Sequence, residues 1–219
     1  MLLAQGWAHY RGPAGDTSFH AHYPIQLVYA DERDASVSFE DRVATGRILS
    51  IPSNVSHKLS PREDVIDLLY IEPSLMAGML PELRPLHEWL AVLDKSKTCI
   101  DDVRMVHALE AIDENLMSKV TQGVIARAAG MSKSSFTKLF HASIGMPLRR
   151  YVLWRRLNIA IAAIGEGSDA TTAAHQAGFA DSAHFSRTMK QMFGVSPTDG
   201  VLRIKMTIAA PLLTKAFHP

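Results

Sequence analysis

Hydrophobic positions follow two different periods in the two halves of this chain. In the first 72 residues they fall in short runs, Phe19 to Tyr29, Ser36 to Phe39, Gly46 to Ile51 and Val65 to Ile71, rich in Val, Ile, Leu and Tyr. Polar clusters such as Asp31-Glu32-Arg33-Asp34 and Ser60-Pro61-Arg62-Glu63-Asp64 separate them. Short β-prone runs bounded by turn formers predict strands, and over residues 1–72 the economical arrangement is a small antiparallel β-barrel. Over residues 73–93 the pattern turns helical, with Pro81 and Pro85 interrupting it. Met76, Met79, Leu80, Leu83, Leu86, Leu90 and Leu93 make one apolar side. Such a stripe is expected to pack on the barrel's open face. The polar stretch 94–100 is the expected linker.

From Asp101-Asp102 onward the period is helical throughout. Val103, Val106, Leu109, Ile112 and Leu116 recur on one face of a leading helix. A pattern then occurs twice. Ala126, Ala129 and Gly130 reappear 48 residues later as Ala174, Ala177 and Gly178, Phe136 reappears 49 residues later as Phe185, and Pro147 50 residues later as Pro197. A repeat of this kind marks one supersecondary unit used twice. In each copy, alanines allow a second helix to cross closely, and the glycine accepts the backbone angle that ends the first helix. Ser132 is a natural N-cap for the second helix, as is Asp181 or Ser182 in the other copy. Phe136, Leu139, Phe140 and Ser143 fall on the inward face of that helix in the first copy, and Phe185, Met189 and Met192 or Phe193 in the second. This is helix-turn-helix patterning.

The opposite faces carry the candidate DNA contacts: Ser132, Lys133, Ser134, Thr137, Lys138 and His141 in the first unit, and Ser182, Ala183, Ser186, Arg187 and Lys190 in the second. Arg187 suits a bidentate guanine contact, and Ala183 a thymine methyl group. Pro147 to Ile164 predicts a connecting helix of roughly 27 Å at about 1.5 Å per residue, suited to two groove segments about 34 Å apart. Of its four arginines, Arg149 and Arg155 are the expected phosphate contacts. The DNA-binding region thus spans residues 101–203. The apolar tail, residues 204–219, is expected to pack back on the second unit or on the N-terminal domain.

Charge sharpens the division. Residues 117–203 hold eleven Lys/Arg against four Asp/Glu, whereas residues 1–116 hold ten against eighteen, and the whole-chain net charge of +1 hides the contrast. A basic half joined to an acidic half is the expected electrostatics of a nucleic-acid reader joined to something else. The 219 residues, 47% hydrophobic, suffice for two small cores. There is no run of 18 apolar residues and no signal-like start, which predicts a cytoplasmic chain without a membrane partner. Cys99 is the one cysteine, so no intrachain disulfide is expected.

Residues Val120 to Pro197 resemble the DNA-binding domain of the AraC/XylS family of bacterial transcription regulators. The resemblance rests on Ile112 and Glu114-Asn115-Leu116; Ala-Gly-Met-Ser at 129–132; Phe136, Leu139-Phe140 and Gly145; Tyr151, Arg156-Leu157 and Ala160; Ala-Gly-Phe at 177–179; and Asp181, Phe185-Ser186-Arg187, Lys190, Phe193-Gly194 and Ser196-Pro197. Met189 stands where the family usually has Phe, and Asp199-Gly200 where it has an aromatic residue followed by Arg. The resemblance implies a sequence-specific regulator that partners double-stranded DNA, RNA polymerase where it activates, and a small-molecule effector. It also implies that the helical segment after the barrel commonly forms a homodimer contact.

In the N-terminal half, His20-Ala-His22 with Gln26, then Gly46, Pro52, Asn54 and His57, is similar to the two motifs of the cupin superfamily, with Asn54 replacing a glycine and Gln26 the usual glutamate. Residues i and i+2 on a strand face the same way, so His20 and His22 with His57 from a neighbouring strand form a candidate divalent-metal triad. Gln26 lacks the carboxylate charge that would favour zinc or iron. Three readings stay open: a metal site, a pocket in which His20, His22, Gln26 and His57 bind a polar or anionic effector, and a purely structural cluster. The expected fold is therefore α+β, a cupin-like barrel followed by an all-α domain of two helix-turn-helix units on one long helix. The leading function is a DNA-binding regulator, not an enzyme. The alternative is a metal-dependent cupin enzyme with a DNA-binding appendage.

Overall fold

Alternating strands build the N-terminal half around two faces of one sheet. The computed structural model describes residues 2–4, 6–76, 83–93, 100, 102–197 and 207–208. Its strands are β1 (Leu2–Ala4), β2 (Trp7–Ala14), β3 (Ile25–Ala30), β4 (Ala35–Phe39), β5 (Val43–Gly46), β6 (Ile48–Ile51), β7 (His57–Leu59), β8 (Arg62–Ile71) and β9 (Thr207–Ile208). They form a six-stranded sheet in the order β6-β3-β8-β2-β1-β9 and a three-stranded sheet in the order β5-β4-β7. β9 lies parallel to β1, so part of the C-terminal tail joins the N-terminal sheet.

The antiparallel pairing of the main strands is as expected, but the strands make two sheets rather than one closed barrel. The chain crosses from one sheet to the other at Arg47, which splits the expected run Gly46 to Ile51 into β5 and β6. The run Phe19 to Tyr29 is ladder only from Ile25, because Pro24 has no N–H to give. Strands β2 and β7 are not evident from the hydrophobic pattern; polar and turn-forming residues interrupt the first, and the second is three residues long.

Side chains on the central strands alternate between two cores. Val28, Ala30, Ile66 and Leu68 meet Ala35, Val37, Phe39 and Leu59 of the smaller sheet. Leu27, Tyr29, Leu69 and Ile71 point the other way, onto Trp89 and Leu93 of α1 (Leu86–Leu93). The segment after the strands therefore packs on the sheet through Trp89, which is 1% exposed, while Leu83 is 58% exposed. Met79, Leu80, residues 94–99 of the expected linker with Cys99, and most of the tail lie outside the described residues.

The helical half comprises α2 (Val103–Asn115), α3 (Gln122–Ala128), α4 (Lys133–Ile144), α5 (Leu148–Gly165), α6 (Ala170–Gln176) and α7 (Ser182–Phe193). In α2, Asp102 caps the first turn by accepting from the Arg104 N–H. The buried stripe is Met105, Ala108, Ile112 and Leu116, whereas Val103 and Val106 of the expected stripe are exposed. The connector α5 has the predicted 18 residues. It is buried on almost every side, through Tyr151, Trp154, Leu157, Ala160, Ile161 and Ile164, which makes it the central helix of the molecule.

The two halves meet along α5. The Trp154 Nε1–H donates to Glu72 Oε1 at 2.7 Å, and Arg150 donates to the Ala21 carbonyl at 3.1 Å. Tyr23 packs edge-on against Tyr151 and Trp154. Among the described residues, no helix is long and apolar enough to cross a membrane.

Candidate nucleic-acid interface and histidine site

The repeated sequence folds into the same object twice. The first helices α3 and α6 are seven residues each, and the second helices α4 and α7 are twelve each. Every one of the four is capped by a side-chain oxygen: Thr121, Ser132, Asp169 and Asp181 accept from backbone N–H groups of the first turn. The turns also match, with Gly130 at φ 66° and Gly178 at φ 75°. At Gly178 an added Cβ would lie 2.8 Å from the Leu116 carbonyl oxygen, so close helix crossing as well as backbone angle requires glycine there.

Inward faces run Phe136, Phe140 and Ile144 in α4, and Phe185, Met189 and Met192 in α7. Leu139, Ser143 and Phe193 are half-buried. The outward faces fall as predicted. Ser132, Lys133, Ser134, Thr137, Lys138 and His141 are exposed, as are Ala183, Arg187 and Lys190, while Ser182 and Ser186 are half-buried. Two predicted contacts also have structural roles: Ser132 is the α4 cap, and Thr137 donates to the Lys133 carbonyl at 2.7 Å while accepting from the Gln122 side chain. A cleft of about 780 Å³ opens between the units, lined in part by Lys119, Gln122, His141, Arg149 and His184. Sequence reasoning does not single out Lys119, Gln122 and His184, since only the packing of the two units brings them to one cleft.

Arg155 corrects the sequence reading. Expected on phosphate, it is 9% exposed and pairs with Asp113 at 3.1 Å and the Tyr151 hydroxyl at 3.2 Å. Burial pushes the Asp113 carboxyl up, opposed by the Arg155 charge, and burial likewise raises Glu72 nearby. These groups line a cavity of about 270 Å³ between the domains. Arg156 donates to the Leu116 and Ser118 carbonyls at 2.9 and 2.7 Å. Of the four connector arginines only Arg149 is exposed.

The predicted histidine cluster forms. Gln26 shares the inner face of β3 with Val28, His57 begins β7 of the opposing sheet, and His20 bridges His57 through two backbone hydrogen bonds of 3.0 and 2.9 Å. One ring nitrogen from each of His20, His22 and His57 lies within 4.8 Å of the others. Asn54, in place of the motif glycine, sits at φ 60°, a conformation Asn tolerates, and its N–H donates to the His22 carbonyl at 2.8 Å.

The hydrogen bonds of the rings settle their protons. Each Nδ1 faces a carbonyl oxygen, His20 to Ser18 at 2.8 Å, His22 to Pro24 at 2.8 Å and His57 to Val55 at 2.9 Å. A carbonyl only accepts, so each Nδ1 carries hydrogen. Burial lowers all three histidines, with His20 at about 4 and His22 at about 3, so at neutral pH each Nε2 presents a lone pair. Gln26 Oε1 lies 2.9 Å from His22 Nε2 and 3.2 Å from His57 Nε2. With the amide turned over, its two N–H bonds satisfy both rings. With the oxygen inward, the four acceptors suit a cation. Imidazoles tied through Nδ1 to carbonyls are the usual outer shell of metal-bound histidine, so the donor set fits a divalent metal, and the three rings offer an anion no hydrogen.

Two recognition helices of equal length on one buried connector define a double helix-turn-helix DNA-binding domain. Residues 125–200 match the family model described as a helix-turn-helix domain, and the chain carries an AraC-type DNA-binding domain behind an N-terminal β domain. The chain is 28% identical over 110 residues to the probable transcriptional regulator LumQ of Photobacterium leiognathi, covering 50% of this chain and 44% of that protein. It is 32% identical over 102 residues to the transcriptional activator RhrA of Rhizobium meliloti, covering 44% and 32% respectively. These matches span less than half the length of either relative. The fold is also that of wild-type ToxT from Vibrio cholerae strain SCE256 in its unsaturated-fatty-acid-bound crystal structure, with a TM-score of 0.60, 12% identity, and coverage of 90% of this chain and 95% of that one.

Proposed function

We infer that this protein is a sequence-specific DNA-binding transcription regulator, not an enzyme, that reads two successive major-groove segments with α4 and α7 under the control of a ligand at the histidine site. The observation that carries the reading is the duplicated unit itself, seven-residue and twelve-residue helices repeated with matching caps and turns, each offering a polar outward face. Lys133, Lys138, Arg149 and Lys190 suit phosphate, and Arg187 a base edge. The regulator names of the two curated relatives support the same class.

The chemistry of the histidine site favours a divalent cation over an anionic effector, because its ring N–H groups are already committed to carbonyls. ToxT, in its crystal structure, binds an unsaturated fatty acid. Here a carboxylate would find a buried guanidinium at Arg155, and Asp113 already pairs with it. The test is binding of purified protein to DNA upstream of its own and neighbouring genes across a salt series, with and without added zinc. Specific binding with a steep salt slope is expected, about 0.9 log units per phosphate neutralised. Indifference to DNA sequence in both conditions would overturn the reading.

A further inference from the structure

We propose that a divalent cation of the zinc class, held by His20, His22 and His57, controls the seating of the second recognition helix through a hydrogen-bonded path ending on that helix's own C-cap. The inference rests on reading the histidine cluster as the control site, and it adds the route by which the DNA-binding half senses it.

The path is short and continuous. The Nδ1–H of His20 donates to the Ser18 carbonyl at 2.8 Å. The backbone N–H and the hydroxyl of Ser18 both donate to the Gly194 carbonyl, at 3.1 and 3.2 Å. Gly194 is the left-handed cap of α7, and its N–H donates to the Lys190 carbonyl at 2.9 Å. Contact is also direct, since a Cβ added at Gly194 would lie 2.7 Å from both His20 Nδ1 and the Ser18 carbonyl oxygen. Beside it, the Phe193 ring lies 6.2 Å from His22 and 5.9 Å from Tyr70, centroid to centroid. The end of the helix that carries Arg187 and Lys190 thus rests on the imidazoles.

Occupancy changes what the helix rests on. Two imidazole nitrogens on a tetrahedral zinc are about 3.3 Å apart for bonds of roughly 2.0–2.1 Å. Here the three donor atoms are spread within 4.8 Å of one another, and the His20 and His22 rings are the widest pair, with centroids 5.6 Å apart. Closing on a cation therefore draws His20 inward, and Ser18 with it. Without a cation, the Gln26 amide can satisfy His22 and His57 while the Nε2 lone pair of His20 is left without that donor, which favours a different ring position. The two states differ at the residue that touches α7, and a ligand shifts an equilibrium only by such a difference.

Cobalt and zinc titrations coupled to amide exchange test the idea on the full-length protein, since cobalt reports tetrahedral coordination by its visible absorption. Zinc is expected to slow exchange from Met192 to Val195 by about tenfold and to leave the matching turn from Ile144 to Met146 unchanged; by linkage, Gly194→Ala should weaken metal binding by a similar factor. His57→Ala, which removes a ligand outside the path to α7, should abolish both the metal and the protection. If Gly194→Ala does not fold, Phe193→Ala serves in its place. Metal binding with unchanged exchange at Met192–Val195 overturns the coupling but leaves the metal reading standing. Absence of metal binding by the unaltered protein overturns both.

Discussion

The two helix-turn-helix units are copies of one design placed in different surroundings. Each recognition helix is twelve residues long and ends on a left-handed glycine, Gly145 at φ 79° and Gly194 at φ 72°. Around Gly145, among the described residues, an added Cβ meets nothing within 4 Å, whereas at Gly194 it meets Ser18 and His20 at 2.7 Å. Both units reach the β domain, α4 at Pro73–Leu75, but only the second has its capping glycine pressed against it. Duplication preserves caps, turns and inward stripes because neighbouring residues encode them. It does not preserve what the rest of the chain presses against each copy.

The largest way to break the comparison is to remove what both units share. Arg155→Ala leaves Asp113 buried without its partner inside the central helix packing, and should cost about 3–5 kcal/mol in urea unfolding. Arg149→Ala, on the same helix but exposed, should leave stability nearly unchanged and reduce the salt slope of DNA binding by about 1. The glycine pair sharpens the contrast most directly. Gly145→Ala should cost roughly 1–2 kcal/mol, the left-handed strain alone, and Gly194→Ala should cost clearly more because of its contacts. Equal losses in thermal unfolding would mean that the α7 end is not seated on the β domain.

Base reading separates the helices next. Arg187→Ala should cost about 1–3 kcal/mol at one base position of the site, whereas Lys138→Ala should weaken binding evenly across sequences. A panel of single-base operator variants measures both, and an even loss for Arg187→Ala would reassign it to phosphate. The smallest effect concerns the interface between the domains. Burial raises Glu72, so the folded state holds its proton more tightly than the unfolded one. The stability Glu72 contributes is full below its unfolded value and is lost as pH rises through the folded one. Glu72→Gln keeps an oxygen for Trp154 and cannot ionise. Its advantage over the unaltered protein should therefore grow as pH rises above about 4.5, by at most about 1.4 kcal/mol per pH unit, measured by urea melts at several pH values.

Both helix-turn-helix units are legible in the sequence because their signals are local. An N-cap serine or aspartate, a glycine after an alanine-rich turn and phenylalanines at helical spacing act within a dozen residues. The histidine motif is legible through its resemblance to the cupin spacing, although His20 is an isolated bridge and His22 lies outside any strand, so the strand alternation expected for the pair is not what places them. Arg155 is not, because an arginine on a long connector looks solvated unless the helix is known to be covered all round. Strand β2 is hidden too, because its ladder with β8 depends on residues far along the chain, Trp7 pairing with Ile71.

By itself, the sequence determined the two recognition units, the connector of 18 residues between them, the strand-rich first half and the identity of the imidazole cluster. The helices and strands follow from periodicity and capping over short separations, and the imidazole cluster from its resemblance to the cupin motif spacing. Only the tertiary structure decided that the strands form two sheets, that Arg155 is buried against Asp113, and that Gly194 rests on His20 from the far end of the chain. Contacts of that span depend on how whole faces meet, and a local pattern carries no record of the surface that will cover it.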